Sequence, residues 1–304
     1  MGEVGALDAR DGSDRHLRNG DGGLADAGWV AACGPPYRRP IGPVPILLYH
    51  SVSNDPDPWI RRFAVATGAF SWHLDLIAVH GATTLTVSAF VDALSGAAEL
   101  PERPVLITFD DGFADFGATA LPALREREMV ATLYPATDFV GRRSPGGAPM
   151  LGWDDLCELA VSDDVEVGGH TVTHPQLDAI PPARARLEIA QCKATLEDRL
   201  GPSIRTFAYP HGYSSAAVRA IVREEGYDSA CAVKNAFSSV DDDRFALARL
   251  TVRADTPIAE IDAWLAGREA RLAPRRERAR TRAGRIARRV RAQARRRLAA
   301  TPHA

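Results

Sequence analysis

The chain has 304 residues, 45% hydrophobic and 25% charged, with 25 Gly and 21 Pro; this apolar content excludes a wholly disordered or collagen-like chain and suffices for a sizeable core. The formal charge of −2 hides an asymmetry: from Arg268 onward there are 14 Arg against 2 Glu, a surplus of +12, so the preceding residues carry −14. The longest apolar run, residues 44–49, is far too short to span a bilayer.

Residues 1–40 are rich in Gly, Asp and Arg, lack periodicity and end in Gly34-Pro35-Pro36, the composition of a disordered segment. Asp8, Asp11, Asp14 and Asp21 interrupt any apolar stretch there, so no secretory leader is recognised and a cytoplasmic location is expected. From Val44 the pattern changes to β-type runs at 44–49, 105–109, 131–134, 165–168, 205–209, 229–233 and 246–252, with a weaker one at 83–87. Helices punctuate them. One over 70–80 stops at Gly81, one begins near Asp115 and one over 183–200 stops at Gly201. Ser214 caps a helix ending at Gly226, and Thr256-Pro257 opens another ending at Gly267. The alternation predicts an α/β fold with a parallel sheet of about seven strands, and chemistry-bearing residues after several strands favour a barrel over an open sheet.

The segment 268–304 reads as a basic helix or a disordered arm, with Ile286, Val290, Ala294 and Leu298 forming a narrow apolar stripe among arginines. It is either a solvated extension or an electrostatic contact for an anionic membrane surface; without aromatic side chains for stacking, specific nucleic-acid recognition is not expected. Cys33, Cys157, Cys192 and Cys231 form no CxxC and are expected to be unpaired structural residues.

Four strand ends carry residues capable of chemistry. Thr108-Phe109-Asp110-Asp111-Gly112 follows an apolar run; adjacent carboxylates there can divide the work of binding a cation and moving a proton, or simply form a capped turn. In Gly169-His170-Thr171-Val172-Thr173-His174-Pro175 the histidines are four apart, so on a helical turn both imidazoles reach one metal. With Asp111 they would make a two-histidine, one-carboxylate site with open positions. Leu48-Tyr49-His50 and Tyr209-Pro210-His211-Gly212 each put a histidine after a buried strand, where a structural role is the ordinary alternative.

These residues resemble the polysaccharide deacetylases, the NodB-homology domains of carbohydrate esterase family 4. Thr108 to Gly112 is similar to their TFDDG motif, His170 to His174 to H-[ST]-x-x-H, and Phe207 to Gly212 to F-A-Y-P-x-G. The resemblance runs over residues 44–252 and implies a distorted (β/α) barrel domain, bounded at 41–267, with the site at the C-terminal strand ends. Leu48-Tyr49-His50, standing before the other motifs, resembles the circularly permuted branch that includes poly-N-acetylglucosamine deacetylases.

The resemblance implies that Asp111, His170 and His174 bind a divalent metal, most often Zn2+, with Asp110 as general base and His50 as general acid. It implies N-acetylated carbohydrate as substrate, met by Leu48, Tyr209, Pro210, His211 and Arg249. Ala208 stands where the third motif often has an Arg that steadies the base, and Arg249 is its candidate replacement. The Trp-containing fourth motif is not recognisable in 228–235. Two alternatives share this donor set or this barrel: a non-haem iron oxygenase, whose His-x-Asp and jelly-roll pattern are missing, and a glycan-binding pseudoenzyme on the same barrel.

Overall fold

The computed structural model describes residues 42–274 and 283–291. The expected disordered segment 1–40, Cys33 and much of the arginine-rich tail lie outside the described residues. In chain order the elements are β1 (Ile46–Tyr49), β2 (Ser51–Val52), β3 (Ala64–Val65), α1 (Thr67–Val79), β4 (Thr83–Leu85), α2 (Val87–Ser95) and β5 (Pro104–Asp111). There follow α3 (Leu121–Arg125), β6 (Ala131–Pro135), α4 (Trp153–Ala160), β7 (Val165–Val167), α5 (Pro182–Leu200), β8 (Thr206–Ala208), α6 (Ala216–Glu224), β9 (Ser229–Cys231), β10 (Leu250–Thr251) and α7 (Ile258–Leu265). Among the described residues no helix is long and apolar enough to cross a membrane.

The strands pair in parallel in the order β10-β1-β5-β6-β7, with β8 and β9 as a separate parallel pair. Single parallel bridges connect the two groups, Gly169 to Phe207 beyond β7 and Cys231 to Leu247 ahead of β10. Seven parallel strands therefore close into a barrel, with two seams held by bridges rather than ladders; this is the distorted (β/α) architecture expected from the sequence.

Period-two alternation sends each strand's side chains to two layers. Ile46, Leu106, Tyr134, Ala208, Cys231 and Leu247 fill one cluster, while Leu47, Tyr49, Ile107, Phe109 and Leu133 pack in the other with Phe70, Leu74 and Ile77 of α1. Burial on both faces is why β1 and β5 read as continuous apolar runs. The inner cluster also takes Val87, Phe90 and Val91 of α2. That helix is pinned where the strands begin: Val87 N–H donates to Thr132 Oγ1 (3.0 Å), and Ser88 bonds to the Glu166 carboxylate. One end of the barrel is thereby stoppered, and the loops after the strands are left for a site.

The weaker run at 83–87 ends as a strand at Leu85, because Thr86 caps α2 by accepting from Ala89 N–H, which turns Val87 into the helix. The cap of α6 is Ser215 rather than Ser214, its Oγ accepting from Val218 N–H. The helix expected near Asp115 opens with a π turn over Phe116–Ala120. Short α4 escaped the sequence reading; its first turn is fixed by the Gly152 N–H to Asp155 carboxylate bond (2.7 Å) rather than by a long apolar stripe.

Interior packing makes Gly168 a sensitive position, since a Cβ there would lie 2.4 Å from the Tyr134 ring and 2.7 Å from Thr206 Oγ1. Gly168→Ala is expected to destabilise the domain by about 1–3 kcal/mol, read as a lower urea midpoint at unchanged slope.

Candidate active site

Asp110 sits near the end of β5, two residues on from inward-facing Thr108, and is 4% exposed. Its carboxylate is gripped by Arg249, which is fully buried: Nη1 donates to Oδ1 and Nη2 to Oδ2, each at 2.7 Å. Nη1 also donates to Thr108 Oγ1 (3.2 Å) and Nε to the Ala232 carbonyl (3.4 Å), so the guanidinium is held from several sides. Burial pushes the Asp110 pKa up, but the Arg249 charge and bidentate hydrogen bonds, together with nearby His170, hold it below the usual carboxylate range.

Asp111 leaves the strand geometry. Its φ is +72° and that of Gly112 is +86°, where a Cβ would lie 2.9 Å from Pro135 Cβ. This turn takes the second carboxylate out of the strand alternation and brings its Oδ1 within 3.2 Å of His174 Nε2 and 3.4 Å of His170 Nε2. The neighbouring carboxylates thus face different partners, one a cation built into the wall and the other a pair of imidazoles.

The two histidines converge, though not on the helical turn that their spacing suggested. Residues 170–174 form a loop in which Thr171 (φ +69°) and His174 (φ +56°) are left-handed, a costly conformation for a β-branched residue. The loop is clamped by Glu188 of α5, which is 2% exposed and accepts from Val172 N–H (3.1 Å), Thr173 N–H (2.9 Å) and Thr173 Oγ1 (2.8 Å). Thr171 Oγ1 accepts from His174 N–H, and the Thr171 and Val172 carbonyls accept from Thr137 and Asp138 N–H. Sequence reasoning missed Glu188. Its signal was an acidic residue beside the buried stripe Ala185, Ile189, Cys192 and Leu196 of α5.

Asp111, His170 and His174 fit a divalent cation on the chemistry of their donors. One ligand atom from each lies within 4.8 Å of the others, and Asp111 Oδ1 is buried without a hydrogen-bond partner. His170 Nδ1 is 2.8 Å from the Ala208 carbonyl; the donor must be Nδ1–H, which leaves the Nε2 lone pair turned to the cluster. Burial alone would lower the His170 pKa, yet Asp110 and Asp111 outweigh it and raise the pKa, so the site favours added positive charge. His174 is lowered to about 4 by burial, which keeps its imidazole neutral and able to ligate.

His50 follows β1 with its ring 5.1 Å from that of Phe63 and its Nδ1 buried without a partner. Burial lowers its pKa, against the upward pull of Asp111 and Asp110. His211, left-handed at φ +57°, is exposed and places its ring 4.7 Å from His174. Phe139 and Tyr213 extend the aromatic surround, 6.3 Å from His174 and 6.5 Å from His211 respectively.

Most of the expected substrate-facing set is buried. Tyr209 is fully buried, with its OH donating to the Phe245 carbonyl (2.9 Å), because it shares the outward layer of β8 with Phe207. Pro210 and Arg249 are buried as well, and Leu48 is 1% exposed on β1, the strand that His50 follows. Of the five, His211 alone offers an exposed side chain. Cys192 and Cys231 are buried free thiols and Cys157 is an exposed one; none joins the cluster.

Because Glu188 holds the loop of His170 and His174 without touching the three candidate donors, Glu188→Ala should weaken divalent-cation binding at this cluster about 10- to 100-fold, measured by competition with a chromogenic chelator. An unchanged affinity would deny it that orienting role.

The family model for polysaccharide deacetylases matches residues 97–230. YxkH of Bacillus subtilis (strain 168), assigned to the polysaccharide deacetylases, is 26% identical over 209 residues, covering 69% of this chain and 71% of its own. The poly-beta-1,6-N-acetyl-D-glucosamine N-deacetylase of Escherichia coli (strain K12) is 21% identical over 219 residues, covering 60% of this chain and 32% of its own, so the match spans about a third of that protein. Among solved structures, IcaB from Ammonifex degensii superposes with a TM-score of 0.63 at 27% identity, covering 74% of this chain and 97% of that one. The family model, the sequence relatives and the shared fold agree in one likeness: residues 97–230 match the polysaccharide deacetylase domain.

Proposed function

We propose that the protein is a metal-dependent hydrolase that removes acetyl groups from N-acetylhexosamine units of a glycan or glycan precursor. The observation that carries this reading is the division of labour at the end of β5: Asp110 is held ionised by Arg249, while adjacent Asp111 faces His170 and His174. The relatedness to a poly-N-acetylglucosamine deacetylase supports the substrate class.

An amide is a poor electrophile and an amine a poor leaving group, so the reaction needs an activated water, a stabilised oxyanion and a proton for nitrogen. Asp111, His170 and His174 would hold a divalent cation, with zinc the best match to this donor set, and a cation bound there would supply Lewis acidity. Asp110 accepts the proton of the attacking water at a carboxylate oxygen, and the two bonds from Arg249 fix that oxygen's direction. His50, which directly follows the strand next to β5, gives a proton to the departing nitrogen when protonated. A backbone N–H of the His211 turn assists the oxyanion. His50 preceding the Asp110-Asp111 pair in sequence is the order of the permuted branch. Phe63, Phe139 and Tyr213 around the histidines supply flat apolar faces suited to a sugar ring.

Zinc-loaded protein should release acetate from N-acetylglucosamine oligomers. Asp110→Asn and His50→Ala should each lower the rate by about 10^2- to 10^4-fold, and chelation should abolish it until zinc is restored. Zinc-bound, folded protein that is inert on acetylated oligomers would overturn the reading.

Arg249 makes a signed pH prediction. Removing part of its stabilisation lets burial raise the Asp110 pKa, so Arg249→Lys should move the acidic limb of kcat/KM to higher pH. Arg249→Met, which strands a buried carboxylate, should cost about 3–5 kcal/mol of stability, as measured by urea unfolding.

A further inference from the structure

The arginine helix at residues 283–291 is turned the opposite way from an ordinary surface helix. Its charged side faces the body: Arg288 Nη2 lies 2.6 Å from Oδ2 of Asp178, which is 1% exposed, and Arg288 Cζ stacks 3.8 Å from the Tyr213 ring centroid. Arg289 Nε donates to the Asp178 carbonyl at 2.7 Å. The apolar side faces out, with Ile286 and Val290, one turn apart, 55% and 59% exposed. At about 100° per residue, Arg288 lies about 200° round the helix from each of them. The helix is therefore fastened through arginine and presents an apolar seam, with Arg285 and Arg289 to one side and Arg291 to the other. In sequence the seam continues to Ala294 and Leu298, outside the described residues.

We propose that this helix docks the protein on an anionic lipid bilayer. An apolar seam bordered by guanidinium groups matches the bilayer interface, where Ile and Val side chains reach the acyl boundary while the arginines meet headgroup phosphates. Charge commits the choice of occupant: the 14 Arg and 2 Glu from Arg268 onward attract an anionic surface, whereas the −14 of the preceding residues repels it. A nucleic acid would use the arginines but leave the seam unsatisfied. Placement ties docking to the site. Asp178 stands four residues after His174, and Tyr213 lies 6.5 Å from His211, itself 4.7 Å from His174. A bilayer held on the outward side of this helix has the helix between it and the Tyr213–His211 edge of the cluster, so docking keeps that edge near a membrane surface. The docking claim stands apart from the deacetylase reading and is tested without turnover.

The test is co-sedimentation of the full chain with vesicles of phosphatidylcholine alone or mixed with phosphatidylglycerol. Binding to the anionic vesicles should exceed that to neutral ones by about tenfold or more. Ile286→Ser with Val290→Ser should lower it by about tenfold or more, at unchanged circular dichroism. Arg288→Ala, altering the body-facing side, should leave binding in place. Vesicle binding indifferent to the Ile286/Val290 double variant would overturn the proposal, as would no binding, preference for duplex DNA over anionic vesicles, or self-association without lipid that the double variant abolishes.

Discussion

Two adjacent carboxylates buried at one strand end must each be compensated by positive charge, and this constraint organises the site. A buried anion without a partner costs several kcal/mol. Asp110 is compensated permanently by Arg249, whose guanidinium is locked against Thr108 and the Ala232 carbonyl. Asp111 is compensated only by imidazoles, one of which is raised in pKa by the carboxylates while the other is held neutral by burial. One acid is thus held ionised by a built-in cation, and the other belongs to a cluster whose positive charge can come from a bound cation. The difference in role follows from the partners, since the two residues are chemically identical.

Holding that arrangement requires backbone conformations that the chain would otherwise avoid. Asp111, Thr171, His174 and His211 all have positive φ, and each carries or adjoins a group in the cluster. Such strain persists where surrounding bonds over-determine it. Here Glu188 ties down Val172 and Thr173, while Thr137 and Asp138 hold the carbonyls of Thr171 and Val172. The barrel supplies the rigidity behind these contacts, with α2 stoppering one end so that the loops at the other converge.

Much of this was legible in the sequence because burial on both faces writes parallel strands as apolar runs, as at 44–49 and 105–109. The motif residues Asp111, His170 and His174 were legible from side-chain type and spacing, and the structure brings them together. The route was not: spacing of four suggested a helical turn, whereas strained loop geometry performs the convergence, and no local signal reports a φ of +69° at Thr171. Tyr209 reads as a site residue from the motif it stands in, but strand parity places it with Phe207 on the outer layer. Glu188 acts across 15 to 16 residues of chain, and Arg288 reaches Asp178 across 110, so neither partnership is visible in a local pattern. The apolar stripe of the tail was visible, but which side of that helix faces the body was decided by tertiary contacts alone.

The most direct test is a crystal structure of the zinc-loaded protein with anomalous data across the zinc edge. A peak is expected within about 2.0–2.2 Å of Asp111 Oδ1 and of Nε2 of both His170 and His174, with Asp110 still bound to Arg249. A peak that uses Asp110 as ligand, or none at this cluster in protein shown to bind zinc, would contradict that division of roles.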